Sequence, residues 1–227
     1  MKRSEINRIL RETIAFFDMH RFKLPPFAFW TPADWERRGE EADEIRDNLL
    51  GWDITDFGLG DFQRKGLVLF TIRNGSHGDP RYPKPYAEKI MVAGENQETP
   101  MHFHAFKMED IINRGGGNLL IELYNATPDN DLDRTSPVVV SVDGVRRTLE
   151  PGATLRLTPG ESITLTQRLY HRFYGEEGRG RVLIGEVSRV NDDRTDNYFH
   201  EPVGRFPAIE EDEPPLYYLC TEYPRAK

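Results

Sequence analysis

The chain has 227 residues, 37% of them hydrophobic and 11% aromatic, enough for one sizeable core under a polar surface. Thirty basic residues against 38 acidic ones give a formal net charge of -8, which argues against a phosphate-backbone partner and against a membrane surface. A single cysteine, Cys220, excludes an internal disulfide and fits a reducing compartment. No secretory leader and no bilayer-spanning run is visible, so a cytoplasmic protein is expected.

Ser4 is expected to cap a first helix, whose apolar positions Ile6, Ile9, Leu10, Ile14 and Phe17 follow helical spacing and which should end near His20. Pro25 and Pro26 then force extended chain. Thr31-Pro32-Ala33-Asp34 reads as a second helix start, with Thr31 as cap and Asp34 near the positive end of the dipole. Residues 32 to 50 should carry one or two short helices, interrupted near Gly39.

From residue 52 the period shortens. Leu67 to Ile72, Lys89 to Val92, Asn118 to Tyr124, Val138 to Val142, Thr154 to Leu157, Ser162 to Thr166 and Arg181 to Ser188 read as strands. Gly, Pro, Asn and Asp separate them at short intervals, the pattern of a sandwich or barrel. The Asp143-Gly144 pair marks a hairpin turn. Residues 74 to 86, with two Gly and three Pro, predict a long loop. The proline-punctuated tail should wrap the body as irregular chain. The expected organisation is a single domain, 1–227: helices to about 51, a β-barrel over about 52–204, and a wrapping tail over about 205–227.

The chemistry concentrates at His102, His104 and Glu109. Two histidines two apart on a strand share a face, and four further residues suffice to turn and begin a partner strand that brings Glu109 to the same side. Imidazoles with a carboxylate form a transition-metal set, and such a set can leave positions open for substrate. A lone histidine is more often a hydrogen-bonder in core or surface than a ligand. Its company here shifts the balance, because Glu109 follows at a workable distance and Arg114-Gly115-Gly116-Gly117 supplies a turn. His171 is the expected third imidazole. Its rival is His200, in a charged, loop-like segment, while His20, near a helix end, has no partner in sequence and His77 lies in the Gly/Pro loop.

These residues resemble the cupin signature. Gly94, His102, His104, Glu109 and Gly116 follow its first motif with a spacer two residues longer than usual, and Gly152, Pro159-Gly160 and His171 stand where its second motif would be. Three segments resemble bacterial D-lyxose isomerases among cupin-type sugar isomerases: Thr99 to His104, Lys107 to Gly117 and Gly185 to Asp193. The resemblance implies an all-β cupin, a double-stranded β-helix or jelly-roll-like barrel, with N-terminal α-helices. It implies a homodimer that interconverts D-lyxose with D-xylulose and D-mannose with D-fructose. It also implies Mn2+ at His102, His104, Glu109 and His171, and the donor set equally admits Co2+, Fe2+ or Zn2+.

Moving hydrogen between C1 and C2 of a sugar needs a base and an acid beside the metal. Lys107 shares strand parity with Glu109 if that strand already begins at 107; the alternative is a solvated turn lysine. Lys89 is the second cation, set against the commoner exposed edge lysine, with Glu88 facing the other way. Glu186 lies within an apolar strand, where a carboxylate is either functional or held in an ion pair with an arginine. Glu201 is the other candidate base, set against plain surface charge. Asp193 and Arg205 are candidate sugar-hydroxyl ligands, and Trp30 a stacking wall unless it is simply core. The same residues leave open an iron oxygenase, a sugar epimerase and a non-catalytic sugar-binding cupin.

Overall fold

A computed structural model describes residues 1–193 and 195–226. Helix α1 (Arg3–Met19) buries Ile6, Ile9, Leu10, Phe16 and Phe17 along one stripe. His20 closes it, but Ser4 is not its cap. Lys2 holds that position without a side-chain bond, and the tail serves the free amides instead. Arg3 N–H donates to the Glu210 carbonyl at 2.8 Å, and Ser4 N–H donates to Asp212 Oδ1 at 2.8 Å. A carboxylate there also complements the helix dipole. Helix α2 (Pro32–Trp35) opens with the Thr31–Asp34 capping box, and a 3-10 turn (Glu40–Ala42) leads into α3 (Asp43–Asp47).

The strands are β1 (Gly51–Thr55), β2 (Leu67–Arg73), β3 (Tyr86–Ala93), β4 (Thr99–His104), β5 (Glu109–Gly116), β6 (Leu119–Ala126) and β7 (Leu132–Asp133). They continue with β8 (Val138–Val142), β9 (Val145–Leu149), β10 (Thr154–Leu157), β11 (Ser162–Leu165), β12 (Leu169–Gly175), β13 (Val182–Arg189) and β14 (Asn197–Phe199). They form two antiparallel sheets. One runs β1-β2-β3-β13-β5-β11-β8-β9, and the other β10-β6-β12-β4-β14, with β7 beside β6. Strand β12, which carries His171, has no counterpart among the strands expected from sequence. Its Tyr170-His171-Arg172-Phe173-Tyr174 alternation is diluted because, on the outer face, Tyr170 is fully buried and Arg172 and Tyr174 are half-buried.

Between the sheets lies an apolar core that includes Leu69, Met91, Ile111, Ile121, Leu123 and Phe173. A second core joins α1 to the outer face of the larger sheet through Ile6, Leu10, Trp52, Phe70, Ile90 and Leu183. Strands β1 to β3 are therefore buried on both faces, which explains the unbroken apolar run Leu67 to Phe70. The Asp143-Gly144 turn adopts positive φ at both residues, as a two-residue hairpin of this hand requires. Gly116, at φ 81°, ends β5 where a Cβ would meet the Arg181 carbonyl at 2.3 Å, so a side chain is excluded there.

Candidate active site

Strands β4 and β12 are neighbours, and their register sets His102 directly opposite His171. His104, two residues on, shares the face. The donor atoms of the three rings all lie within 4.8 Å of one another, and all three side chains are buried. The turn after His104 does not return a hairpin partner, as the spacing had suggested. It crosses to β5 in the opposite sheet, so Glu109 meets the histidines from across the barrel. Glu109 Oε1 stands 3.3 Å from His104 Nε2 and 3.2 Å from His171 Nε2.

Tautomers follow from the backbone. His102 Nδ1 lies 2.8 Å from the Pro100 carbonyl and His171 Nδ1 lies 3.0 Å from the Leu169 carbonyl. A carbonyl can only accept, so each Nδ1 carries the proton and each Nε2 is left facing the cavity. Burial, then the neighbouring His171 and His104, pushes the His102 pKa well below its ordinary value. Burial and Lys107 likewise lower His104. His171 Nε2 stands beside a Glu109 oxygen, is buried, and has no hydrogen bond. A buried ring nitrogen left without a partner beside a carboxylate is costly unless a ligand satisfies both. The donor set therefore suits a divalent transition metal.

Lys107 lies in the turn before β5 rather than on that strand, so the parity argument was wrong although the side chain does point inward. The turn is gripped by Asp196, whose carboxylate accepts from Phe106 N–H at 2.6 Å and Lys107 N–H at 3.0 Å. Lys107 Nζ reaches Glu109 Oε2 at 2.7 Å and Glu186 Oε1 at 2.9 Å. Lys89 is opposite Glu186 in the β3–β13 register, its Nζ 3.2 Å from Glu186 Oε1. Glu88 points outward to Arg73. Burial alone would depress Lys107, but Glu109 and Glu186 outweigh it and raise its pKa. Burial would raise Glu109, but Lys107 and His104 hold it well below the usual carboxylate range. The buried partner of Glu186 is therefore a pair of lysines, not an arginine.

Arg205 Nη2 donates to Asp53 Oδ2 at 2.5 Å and to Asp193 Oδ2 at 2.9 Å, while its Nη1 is buried without a partner. Arg205 and Asp193 line the same cavity as the three histidines, Glu109, Lys89, Lys107 and Glu186. Burial would raise the Asp193 carboxyl, but Arg205, Lys89 and Lys107 keep it well below its ordinary pKa.

The remaining candidates lie outside. Glu201 has an exposed side chain 3.7 Å from Lys65 and does not line the cavity, because it falls in the loop just after the short strand β14 ends. Trp30 packs edge-on against Trp35 and under Arg38 among the N-terminal helices, so it forms no wall here. His200 turns away to Asp131 at 3.1 Å. Sequence reasoning missed Asn191, whose Oδ1 accepts from Lys89 at 2.8 Å and Lys107 at 3.1 Å. It also missed Asp53, although an acid between Trp52 and Ile54 carries the same signal that singled out Glu186.

The profile of the D-lyxose isomerase family matches residues 1–223. The chain belongs to the D-lyxose isomerase family. It is 56% identical to the D-lyxose/D-mannose isomerase of Serratia proteamaculans over 226 residues, covering 99% of each chain. It is 53% identical to that of Escherichia coli O157:H7 over 224 residues, covering 98% of each. A solved structure of Cellulomonas parahominis L-ribose isomerase with L-psicose superposes with a TM-score of 0.61, 16% identity, and coverage of 92% of this chain and 98% of that one. At that identity the likeness is one of fold. The two facing sheets are the expected all-β cupin barrel with its N-terminal helices. This family member is an aldose–ketose isomerase, and the oxygenase, epimerase and pure binding readings give way.

Proposed function

We propose that this isomerase interconverts D-lyxose with D-xylulose and D-mannose with D-fructose at the cavity of the three histidines, with Mn2+ held by His102, His104, His171 and Glu109. One arrangement supports the reading: convergent ring nitrogens of three buried histidines beside a buried Lys107–Glu186–Lys89 cluster. When bound, a divalent cation supplies an electrophile for sugar oxygens and stabilises the negative charge that develops on them.

The chain's own groups move the protons. Glu186, held between two ammonium groups, takes the proton from C2. The C2–H electron pair forms the C1–C2 double bond of an enediol(ate), and Glu186 returns the proton to C1. Over the cycle O1 gains a proton and O2 loses one, with Lys107 donating at O1 and recovering a proton from O2. Lys89 and Asn191 orient Glu186 and Lys107. Asp193 and Arg205 hold the distal hydroxyls, the unpartnered Arg205 Nη1 being a ready donor. Phe57, Phe173 and Phe199 line the same cavity and limit water.

The working enzyme is proposed to be a cytoplasmic homodimer in which residues 1–227 fold as one unit, with Arg3 of α1 bonded to Glu211 and Glu222 of the tail. No helix among the described residues is long and apolar enough to cross a membrane. The test is to incubate metal-loaded protein with a panel of aldoses and read ketose formation. D-lyxose and D-mannose should give the corresponding ketoses, activity should vanish on chelation, and manganese should restore it. Isomerisation that persists in fully metal-free protein sinks the mechanism.

A further inference from the structure

The catalytic cavity is the smaller of two that adjoin, at about 50 Å³. A second cavity of about 390 Å³ lies beside it, within the range of about 300–1,000 Å³ typical of small-molecule sites. Asp193 lines both, and the ion pairs of Arg205 with Asp193 and Asp53 stand where the two adjoin. The partition continues through Asn191. Asn74 Nδ2 donates to its carbonyl at 2.9 Å, and its side chain accepts from both catalytic lysines.

The floor of the larger cavity is built of buried polar side chains. Asn48, Asp53, Asn74 and Thr71 are each at least 94% buried. Asn74 is fully bonded, but Asn48, 4% exposed, has an amide Nδ2 with no hydrogen-bond partner. An unsatisfied buried amide costs about 1–3 kcal/mol, so a group at this position calls for an acceptor that enters from the cavity. Its walls carry the carboxylates of Asp47, paired with Arg81, and of Asp53 and Asp193, both paired with Arg205. Carboxylate oxygens with remaining lone pairs can accept from hydroxyl donors.

We propose that this outer cavity is a second sugar-binding site, a vestibule that holds a monosaccharide, one hydroxyl oxygen accepting from Asn48 Nδ2, before it passes the Asn191–Asp193–Arg205 partition. Its ligand class rests on the isomerase reading above; its existence as a site does not. The vestibule is too polar for an apolar guest and roomy enough for a ring-closed sugar.

The probe is methyl α-D-mannopyranoside, which cannot open its ring and so cannot be isomerised. Calorimetry and ligand-observed NMR should show saturable binding to the metal-loaded enzyme and equal binding to metal-stripped Glu186→Gln. Asn48→Leu should weaken that binding about tenfold, the worth of one buried hydrogen bond. Ser76→Trp, at the cavity wall in the 74–85 loop, should block it, and this variant decides the matter if Asn48→Leu fails to fold. Absence of saturable binding overturns the proposal. So does binding that survives both vestibule variants yet disappears from metal-stripped Glu186→Gln, because the glycoside then occupies the catalytic cavity. Turnover of D-lyxose is measured separately: a protein that binds the glycoside but converts no sugar refutes the substrate reading and leaves the vestibule standing.

Discussion

Two buried cations in this molecule are treated in opposite ways. Arg3, 1% exposed, joins α1 to the tail through Glu211 and Glu222, whose side chains are 58% and 20% exposed. Lys107, 2% exposed, joins Glu109 and Glu186, which are 3% and 5% exposed. At the tail seam each carboxylate keeps access to water, so little solvation is lost and the fork of Arg3 gains geometry. In the cavity neither partner keeps it. Full desolvation of an ion costs several kcal/mol and is a poor route to stability. Such a cluster is expected where charge is used in chemistry. The seam should therefore control folding, and the cavity turnover.

The largest effects should come from the metal set. His102→Ala, His104→Ala, His171→Ala and Glu109→Gln should each lose metal on dialysis and abolish measurable turnover, whereas His200→Ala should keep both. Metal per chain after dialysis decides between His171 and His200. Next, Glu186→Gln should retain metal while kcat falls by about 10²–10⁴-fold, the usual worth of acid–base catalysis. Lys107→Met should act in the same direction, and Glu201→Gln should leave kcat near normal. A Glu186→Gln enzyme with full metal and undiminished turnover breaks the contrast on the cavity side.

On the seam side, Arg3→Met should lower stability by about 1.5–3 kcal/mol, the scale of hydrogen bonds to charged groups, with kcat unchanged. Denaturant unfolding beside steady-state kinetics measures both. A kcat that falls in step with stability would show that the seam also shapes the site.

The same contrast explains what the sequence could reveal. His102 and His104 were legible because ligands on one face of a strand must be two apart, a local rule, whereas Glu109 reaches them from the opposite sheet and not by the expected turn. Glu186 and Asp53 carry a local signal too, a carboxylate inside an apolar strand. His171 depended on the register of β12 against β4, across 69 positions, which no local pattern fixes. Lys107 was found for a mistaken reason, since a turn held by Asp196, not strand parity, aims it inward. Asn191 and the Asp212 that serves the start of α1 act on partners about one hundred to two hundred residues away, visible only once the chain is folded. Glu201 and Trp30 show the converse, plausible residue types that the topology leaves outside.

The smallest effect concerns a tether of the outer cavity. Tyr82, in the Gly/Pro loop, donates its hydroxyl to Asp47 Oδ2 at 2.7 Å, and Asp47 lines that cavity. The bond to Asp47, then burial, pushes the phenol up to about 12 from its ordinary 10. Because the folded value lies above the unfolded one, the neutral phenol contributes stability that is fully present below pH 10. In the unfolded chain the phenol ionises first, so that contribution declines between pH 10 and about 12. Above that range an ionised Tyr82 would face the Asp47 carboxylate. Tyr82→Phe removes the hydroxyl and keeps the ring, so it should cost about 0.5–1.5 kcal/mol at pH 8. The cost should shrink as pH is raised through 11, because the wild type then loses what the variant never had. Thermal melting of both proteins at pH 8 and pH 11 measures the difference directly, and other titrating groups largely cancel in it. A difference independent of pH would mean that the phenol is not held by Asp47, and the 74–85 wall of the vestibule would need another anchor.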